Sequence, residues 1–309
     1  MNTKYLVTGG LGFIGNELVR QLKREGSVSV IDNRNRVAPR LEDLADVPVQ
    51  AIDLTNTQDV FNALQAVKPE IVFHLAAIHY IPECNAQPER TLRINVEATL
   101  GLLRACSAAG VKHFVFASSG AVYADHEGPL PETAPVAPVD IYGWSKLQAE
   151  QLCAWHSASE GLPVTLCRIF NNFGPRETNA HIIPEIINQL RNGDVLRLGN
   201  LTPRRDYIHT TDTGEALRAL AQIPPTAGTS RIVNVASGND ASVEEIIALM
   251  SELLGRRLKV ERDAARFRKA DKLVQVSDIS LLKKLTGFSR RYDLREGIRD
   301  LLRFEGLLS

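Results

Sequence analysis

The chain has 309 residues, 44% of them hydrophobic, enough to bury a sizeable α/β core as one large domain or a domain with an appendage. Its 36 basic side chains balance 36 acidic ones, so no global field draws it to nucleic acid or to an anionic membrane. Cys84, Cys106, Cys153 and Cys167 lie far apart with no CxxC, which indicates neither a metal centre nor a disulfide framework.

The first predicted element is the apolar, β-branched run Tyr5-Leu6-Val7-Thr8, read as a buried strand. Beginning so early, it leaves no room for a signal peptide, and no later run approaches the length of a membrane span. A cytoplasmic protein is the expectation. The strand breaks into Gly9-Gly10-Leu11-Gly12-Phe13-Ile14-Gly15, and a helical pattern with Leu18, Val19 and Leu22 follows. A second strand, Ser27 to Ile31, ends in Asp32. Glycines let a backbone turn tightly and approach a pyrophosphate, whose charge suits the helix N-terminus. An acid at this distance accepts hydrogen bonds from an adenosine ribose. Dinucleotide binding is expected. Gly10, Gly12 and Gly15 fit GxGxxG, while Gly9, Gly12 and Gly15 fit GxxGxxG, and the turn alone leaves both open.

Beyond Asp32 the segment to Asp46 is polar and holds Arg34, Arg36 and Arg40. Arginines there could meet the 2′-phosphate of NADP, but Asp32 repels it, so NAD is favoured. A third strand, Val47 to Ile52, leads to Asp53-Leu54, with Thr55 or Thr57 as helix cap. The strand Ile71 to Leu75 then runs into Ala76-Ala77, small residues that permit close approach to a cofactor. His74 reads as a satisfied strand-end histidine, because no second metal ligand has suitable spacing. The loop from Ile78 to Pro88 brings His79, Tyr80 and Glu83 to the carboxyl edge of a parallel sheet, where ligands bind in open α/β folds.

A long helix from Glu89 to Ala109 follows, then the strand His113 to Ala117, which delivers Ser118-Ser119-Gly120. Asp140 precedes a helix carrying Tyr142 and Lys146, four apart and so on one face. A phenol is a poor base at neutral pH. A nearby ammonium, with a positively charged nicotinamide, favours the phenolate and equips Tyr142 to take a proton from a hydroxyl. Ser119 is the second hydrogen-bonding group for the reacting oxygen. Downstream, 180–191 is helical, 195–198 is a short strand, 211–221 is a helix and 231–235 a strand. Residues 256–272 hold eight basic and three acidic side chains, which read alone make a solvated face.

The ordered set of glycine turn, Asp32, His74-Leu75-Ala76-Ala77, Ser118-Ser119 and Tyr142/Lys146 resembles the extended short-chain dehydrogenase/reductase family of sugar-nucleotide epimerases and dehydratases. Arg168-Ile169-Phe170-Asn171-Asn172-Phe173-Gly174-Pro175-Arg176 and Arg205-Asp206-Tyr207-Ile208-His209 extend the likeness over essentially the whole chain. Ala124 departs from the glycine the family usually has after Val-Tyr.

The resemblance implies a Rossmann-type doubly wound parallel sheet with a smaller C-terminal α/β domain for substrate. The NAD-binding part would span 1–170, with returning segments near 201–236, and the nucleotide-sugar part 171–309, partly interleaved. It selects GxxGxxG, hence Gly9, Gly12 and Gly15, with Phe13 and Ile14 beside the cofactor. Asp32 and Asn33 would bind the adenosine ribose, Asp53 and Leu54 would flank adenine, and Leu75, Ala76 and Ala77 would line the cofactor. Tyr142 would be the base, Lys146 would hold the nicotinamide ribose, and Ser119 would bind the reacting sugar oxygen. Asn171 and Arg205 match positions that grip a nucleotide diphosphate, and His79 is a further candidate for the substrate. Arg268-Lys269-Ala270-Asp271 resembles an R-x-G-D motif whose Arg binds pyrophosphate and whose Asp binds the nucleotide ribose, with Ala270 in place of Gly. Many relatives are homodimers through the helices at 89–109 and 142–159.

Members of that family oxidise a sugar hydroxyl, usually at C4, and then diverge. Dehydratases carry acids just after the active-site serine or threonine, because eliminating water needs an acid and a base. Gly120-Ala121 transfers no proton, so dehydration is disfavoured unless His79 or Glu83 substitutes. Reductases there mostly use NADPH, which Asp32 disfavours. A nucleotide-sugar 4-epimerase using NAD is the expectation, with dehydratase or 4-keto reductase as alternatives. A non-catalytic NAD(P) sensor would have no need of Ser119, Tyr142 and Lys146.

Overall fold

The structure, a computed structural model, describes residues 3–33, 44–263 and 272–309. Arg34, Arg36 and Arg40, and the motif holding Arg268 and Asp271, lie outside them. In chain order the elements begin β1 (Thr3–Thr8), α1 (Phe13–Leu22), β2 (Gly26–Asp32), β3 (Val49–Ala51), α2 (Thr57–Val67) and β4 (Ile71–His74). Then come α3 (Ile81–Ala86), α4 (Pro88–Leu92), α5 (Ala98–Ala108), β5 (His113–Ser119), α6 (Ile141–Glu160), β6 (Val164–Ile169) and β7 (Asn171–Phe173). The remainder is α7 (Ile182–Leu190), β8 (Val195–Leu198), β9 (Arg204–His209), α8 (Thr210–Ala221), β10 (Ser230–Val235), β11 (Asp240–Ser242), α9 (Val243–Leu254), β12 (Lys259–Arg262), β13 (Val274–Gln275), α10 (Ser280–Thr286) and α11 (Leu294–Phe304).

Seven strands form one sheet in the order β10-β6-β5-β4-β1-β2-β3, and every pairing in it is parallel. The order reverses between β1 and β4, as in a Rossmann sheet. Neighbouring residues of a strand face opposite ways, and both faces are apolar, as a parallel sheet covered by helices requires. Val7, Val30, Phe73 and Val115 pack with Leu18 and Leu22 of α1 and Leu217 and Leu220 of α8. Leu6, Ile31, Val72 and Phe114 pack with Leu64 of α2, Leu102 of α5 and Cys153 of α6. A smaller unit has its own core, in which Ile186, Leu196, Tyr207, Ile246 and Leu301 join α7, α9 and α11 to the short sheets. In that unit β9 pairs with β7, β11 and β13.

Three local expectations differ from the structure. The cap of α2 is Asn56, whose side chain accepts from Asp59 N, and not Thr55 or Thr57; Thr55 instead hydrogen-bonds Asp53. The loop at 78–88 contains α3. The helix expected over 89–109 is interrupted at Arg93–Glu97 by a π turn centred on Asn95. Asn95 accepts from Ile78 N (2.9 Å) and donates to Ile78 O (2.8 Å) and Ser145 Oγ (3.0 Å), bonds that tie the wider turn to the β4 loop and to α6. All four cysteines are buried and free.

Candidate functional site

The glycine turn is crowded to the limit of its backbone. Gly9 has φ +71°, and a Cβ there would lie 2.7 Å from Ala76 N. A Cβ on Gly15 would lie 2.1 Å from Gly9 O, and one on Gly12 3.0 Å from the same oxygen. Gly10 is glycine for another reason, since a Cβ would strike the Val30 side chain at 2.7 Å. Helix α1 starts at Phe13 with no side-chain cap, which leaves its first turn suited to an anion. Asp32 ends β2 and accepts from Leu11 N at 3.0 Å, so the acid is locked onto the turn. Asn33 is exposed beside it, Ile14 is half-buried, and Leu75, Ala76 and Ala77 form a half-buried edge after β4. Asp53 accepts from Thr55 N and Oγ1, bonds that hold its carboxyl below the usual range, and Leu54 is buried behind it. These residues fit a dinucleotide: tight glycines, an uncapped helix and a carboxylate at the end of the neighbouring strand β2.

At the carboxyl end of β5, Ser119 caps a single 3₁₀ turn, Gly120–Val122, and accepts from Ala121 N at 3.2 Å. Asp140 caps α6 through Gly143 N, setting Tyr142 and Lys146 on the helix face that looks back at β5. The Ser119 side chain stands near the Tyr142 phenol. Lys146 is buried, donates to Ala117 O at 2.7 Å, and lies 4.9 Å from the Phe116 ring centre and 6.0 Å from that of Tyr142. Burial pushes the Tyr142 phenol up to about 12, with the nearby Ser119 hydroxyl opposing it, and lowers Lys146 to about 8. The ammonium by itself therefore does not depress the phenol; the expectation rested on it together with a positively charged nicotinamide. Lys146 spends its charge on a backbone carbonyl, and desolvation wins at Tyr142. His74 bonds the Thr8 and Thr99 hydroxyls (2.7 and 2.9 Å), and burial holds it neutral, with its pKa lowered to about 3.

Below Lys146 on the same face of α6 lies a group that sequence reasoning overlooked. Glu150 accepts from Ser118 Oγ (2.5 Å) and from Arg168 Nε and Nη2 (2.9 and 2.8 Å), all of it buried. The signal was Arg168, a charged residue within the largely apolar strand β6.

The loops at the mouth bring His79 against Asn179, with Asn179 Nδ2 2.8 Å from His79 Nε2. The same amide donates to Glu177 Oε1 (3.1 Å), and the His181 ring lies 5.9 Å from that of His79. Neither alternative acid stands alone: Glu83 is ion-paired with Arg90 at 2.9 Å. Asn171 is exposed at the start of β7, and Arg205, on the neighbouring β9, donates to Arg204 O at 2.8 Å. A side chain at residue 120 would be tight, because a Cβ would lie 3.3 Å from both Gln275 Nε2 and the Phe170 ring, and these would have to yield by a few tenths of an ångström. Among the described residues no group of three His, Cys, Asp or Glu side chains could hold a metal ion, and no helix is long and apolar enough to cross a membrane. A cavity of about 450 Å³ is lined by Phe13, Arg176, Thr210 and Phe304, but not by Ser119, Tyr142 or Lys146.

The profile of the NAD dependent epimerase/dehydratase family matches residues 5–236. A UDP-glucose 4-epimerase of Corynebacterium glutamicum is 31% identical over 99% of this chain and 96% of its own. A GDP-6-deoxy-D-mannose reductase of Pseudomonas aeruginosa is 28% identical over 98% of this chain and 97% of its own. Among solved structures, Thermus thermophilus UDP-glucose 4-epimerase in complex with NAD superposes with a TM-score of 0.87 at 28% identity, covering 98% of this chain and 99% of that one.

Proposed function

This chain belongs to the NAD dependent epimerase/dehydratase family, and we propose that within it the protein is a nucleotide-sugar 4-epimerase working through a transient 4-keto sugar. The observation that carries the reading is residue 120. Gly120 and Ala121, which follow Ser119, carry no proton-transferring side chain, and a Cβ at 120 would already be tight, so the step that distinguishes a dehydratase lacks its acid.

In this reading NAD, when bound, supplies the hydride acceptor and donor. Gly9, Gly12, Phe13, Ile14 and Gly15 receive its pyrophosphate, and Asp32 and Asn33 its adenosine ribose. Asp53 and Leu54 flank adenine, and Leu75, Ala76 and Ala77 line the remainder. Tyr142 takes the proton of the C4 hydroxyl and later returns it, and Ser119 holds the same oxygen. With a pKa of about 12 the phenol needs added positive charge to ionise at neutral pH, and a positively charged nicotinamide meets that need. Lys146 holds the nicotinamide ribose. Asn171 and Arg205 grip the diphosphate, with Arg268 and Asp271 assigned to pyrophosphate and ribose, and His79 faces the sugar.

A second reading, one-way reduction of a 4-keto sugar, draws on the Pseudomonas aeruginosa relative. Asp32 weighs against it through its repulsion of NADPH. Two copies pair through α5 and α6 in our reading, since α6 exposes Trp144 (47%) and Trp155 (54%), three turns apart. We place the protein in the cytoplasm, which keeps its four thiols reduced. Incubation with a panel of nucleotide sugars, followed by NMR at C4, tests the assignment. Inversion of one member is expected, and a reduced product in its place overturns it.

A further inference from the structure

The 3₁₀ turn that follows Ser119 is held from the smaller unit. Buried carbonyls require partners, and those of Gly120 in the turn and of Tyr123 just after it find theirs on side chains far away in sequence. Gly120 O accepts from Tyr123 N (3.2 Å) and from Gln275 Nε2 (2.6 Å). Tyr123 O accepts from Lys272 Nζ. Lys272 and Gln275 are each only 9% exposed. An apolar side chain would fill such places at lower cost than an ammonium and an amide, so the bonds they make are the reason for their presence.

Both residues belong to the segment of β13, which pairs in parallel with β9. Gln275 stands opposite Arg205, and Arg204 N donates to Leu273 O at 2.8 Å. The strand that carries Arg205 and the side chains that grip the Ser119 turn are therefore one hydrogen-bonded piece. Gln275 also sets the size of residue 120, whose absent Cβ would meet its amide. Around Lys272, Asp125 and Asp140 supply negative charge and Arg205 supplies positive charge.

We propose that Lys272 and Gln275 are positioning residues that set the Ser119 turn from the β9–β13 pair, so that a diphosphate held at Arg205 is felt at Ser119. The inference rests on the roles given above to Ser119 and Arg205. Gln275→Glu turns the donor into an acceptor facing Gly120 O, and Lys272→Met removes the bond to Tyr123 O at similar length. A misplaced reacting group can cost up to ~10²-fold.

The test uses the whole chain with its cofactor and a substrate from the sugar panel. Each variant is expected to lower kcat ~10-fold or more at nearly unchanged KM and NAD content, with a fall in Tm no larger than an unpartnered buried carbonyl or carboxylate brings. Lys272→Arg should recover most of the loss. Gly120→Ala should lower activity by a larger factor in the native background than it does when added to Gln275→Ala, where the amide no longer crowds residue 120 and only the Phe170 ring remains. Loss of activity only in step with loss of folded, NAD-loaded protein, with no recovery in Lys272→Arg, would reduce the pair to scaffolding and overturn the proposal. A second readout needs no turnover: UDP should slow amide exchange in residues 119–123 of the native chain, and not in Lys272→Met. UDP bound without that protection contradicts the linkage, and failure of both UDP and GDP to bind counts against linkage and function together. Protection with no turnover on any sugar sinks the functional reading alone.

Discussion

Tyr142 and Lys146 stand four residues apart with their acidities moved in opposite directions by the same cause, burial. If the phenol is the proton acceptor, Tyr142→Phe should keep its NAD and its fold while losing ~10²–10⁴-fold in turnover. Near-normal turnover of a cofactor-loaded Tyr142→Phe would remove it from the chemistry. His74 offers a thermodynamic test in the same neighbourhood. Its folded pKa is about 3 against an ordinary value of 6.5. Between those values the unfolded chain holds the proton and the folded chain does not, so acid favours unfolding across that window and not above it. Urea midpoints measured from neutral pH down to about 4 should fall for the native chain and fall less steeply for His74→Gln. Equal slopes would mean that His74 is protonated while folded.

Helix α6 carries Tyr142, Lys146 and Glu150 at intervals of four, so one face serves the phenol, the ammonium and a buried ion pair. Arg168→Met should destabilise the fold by ~3–5 kcal/mol, because Glu150 would remain buried without its cation. An unfolding midpoint within error of the native one would show that the pair contributes nothing. At this scale much was readable in advance. Tyr142 and Lys146 advertise themselves by spacing, and the glycine turn by its density of glycine. The π turn at Asn95 was not readable, because Arg93–Glu97 continues a helical pattern and only contacts with Ile78 and Ser145 widen it. The cap of α2 was ambiguous for a local reason: Thr55, Asn56 and Thr57 are all good caps, and Asp53 decided the matter by taking Thr55.

Across the whole molecule, the parallel sheet follows from strands that are apolar on both faces and separated by helical stretches. The pairing of β13 with β9 does not follow from any pattern, since two residues of strand have no period to read. Lys272 consequently looked like one charge in a basic run, although it is buried against Tyr123. The exposed tryptophans of α6 belong to this scale too. The native chain should sediment as a dimer, and Trp144→Lys with Trp155→Lys as a monomer; a monomeric native chain would contradict pairing through this face. The central claim is that the site inverts C4 and eliminates nothing, and turnover of the accepted nucleotide sugar in deuterium oxide, read by NMR, tests it most directly. The product should be the C4 epimer with its original hydrogen at C4 and no deuterium at C5. Deuterium at C5, or a 4-keto-6-deoxy product, would contradict the account and direct attention to His79 and Glu83 as the missing acid.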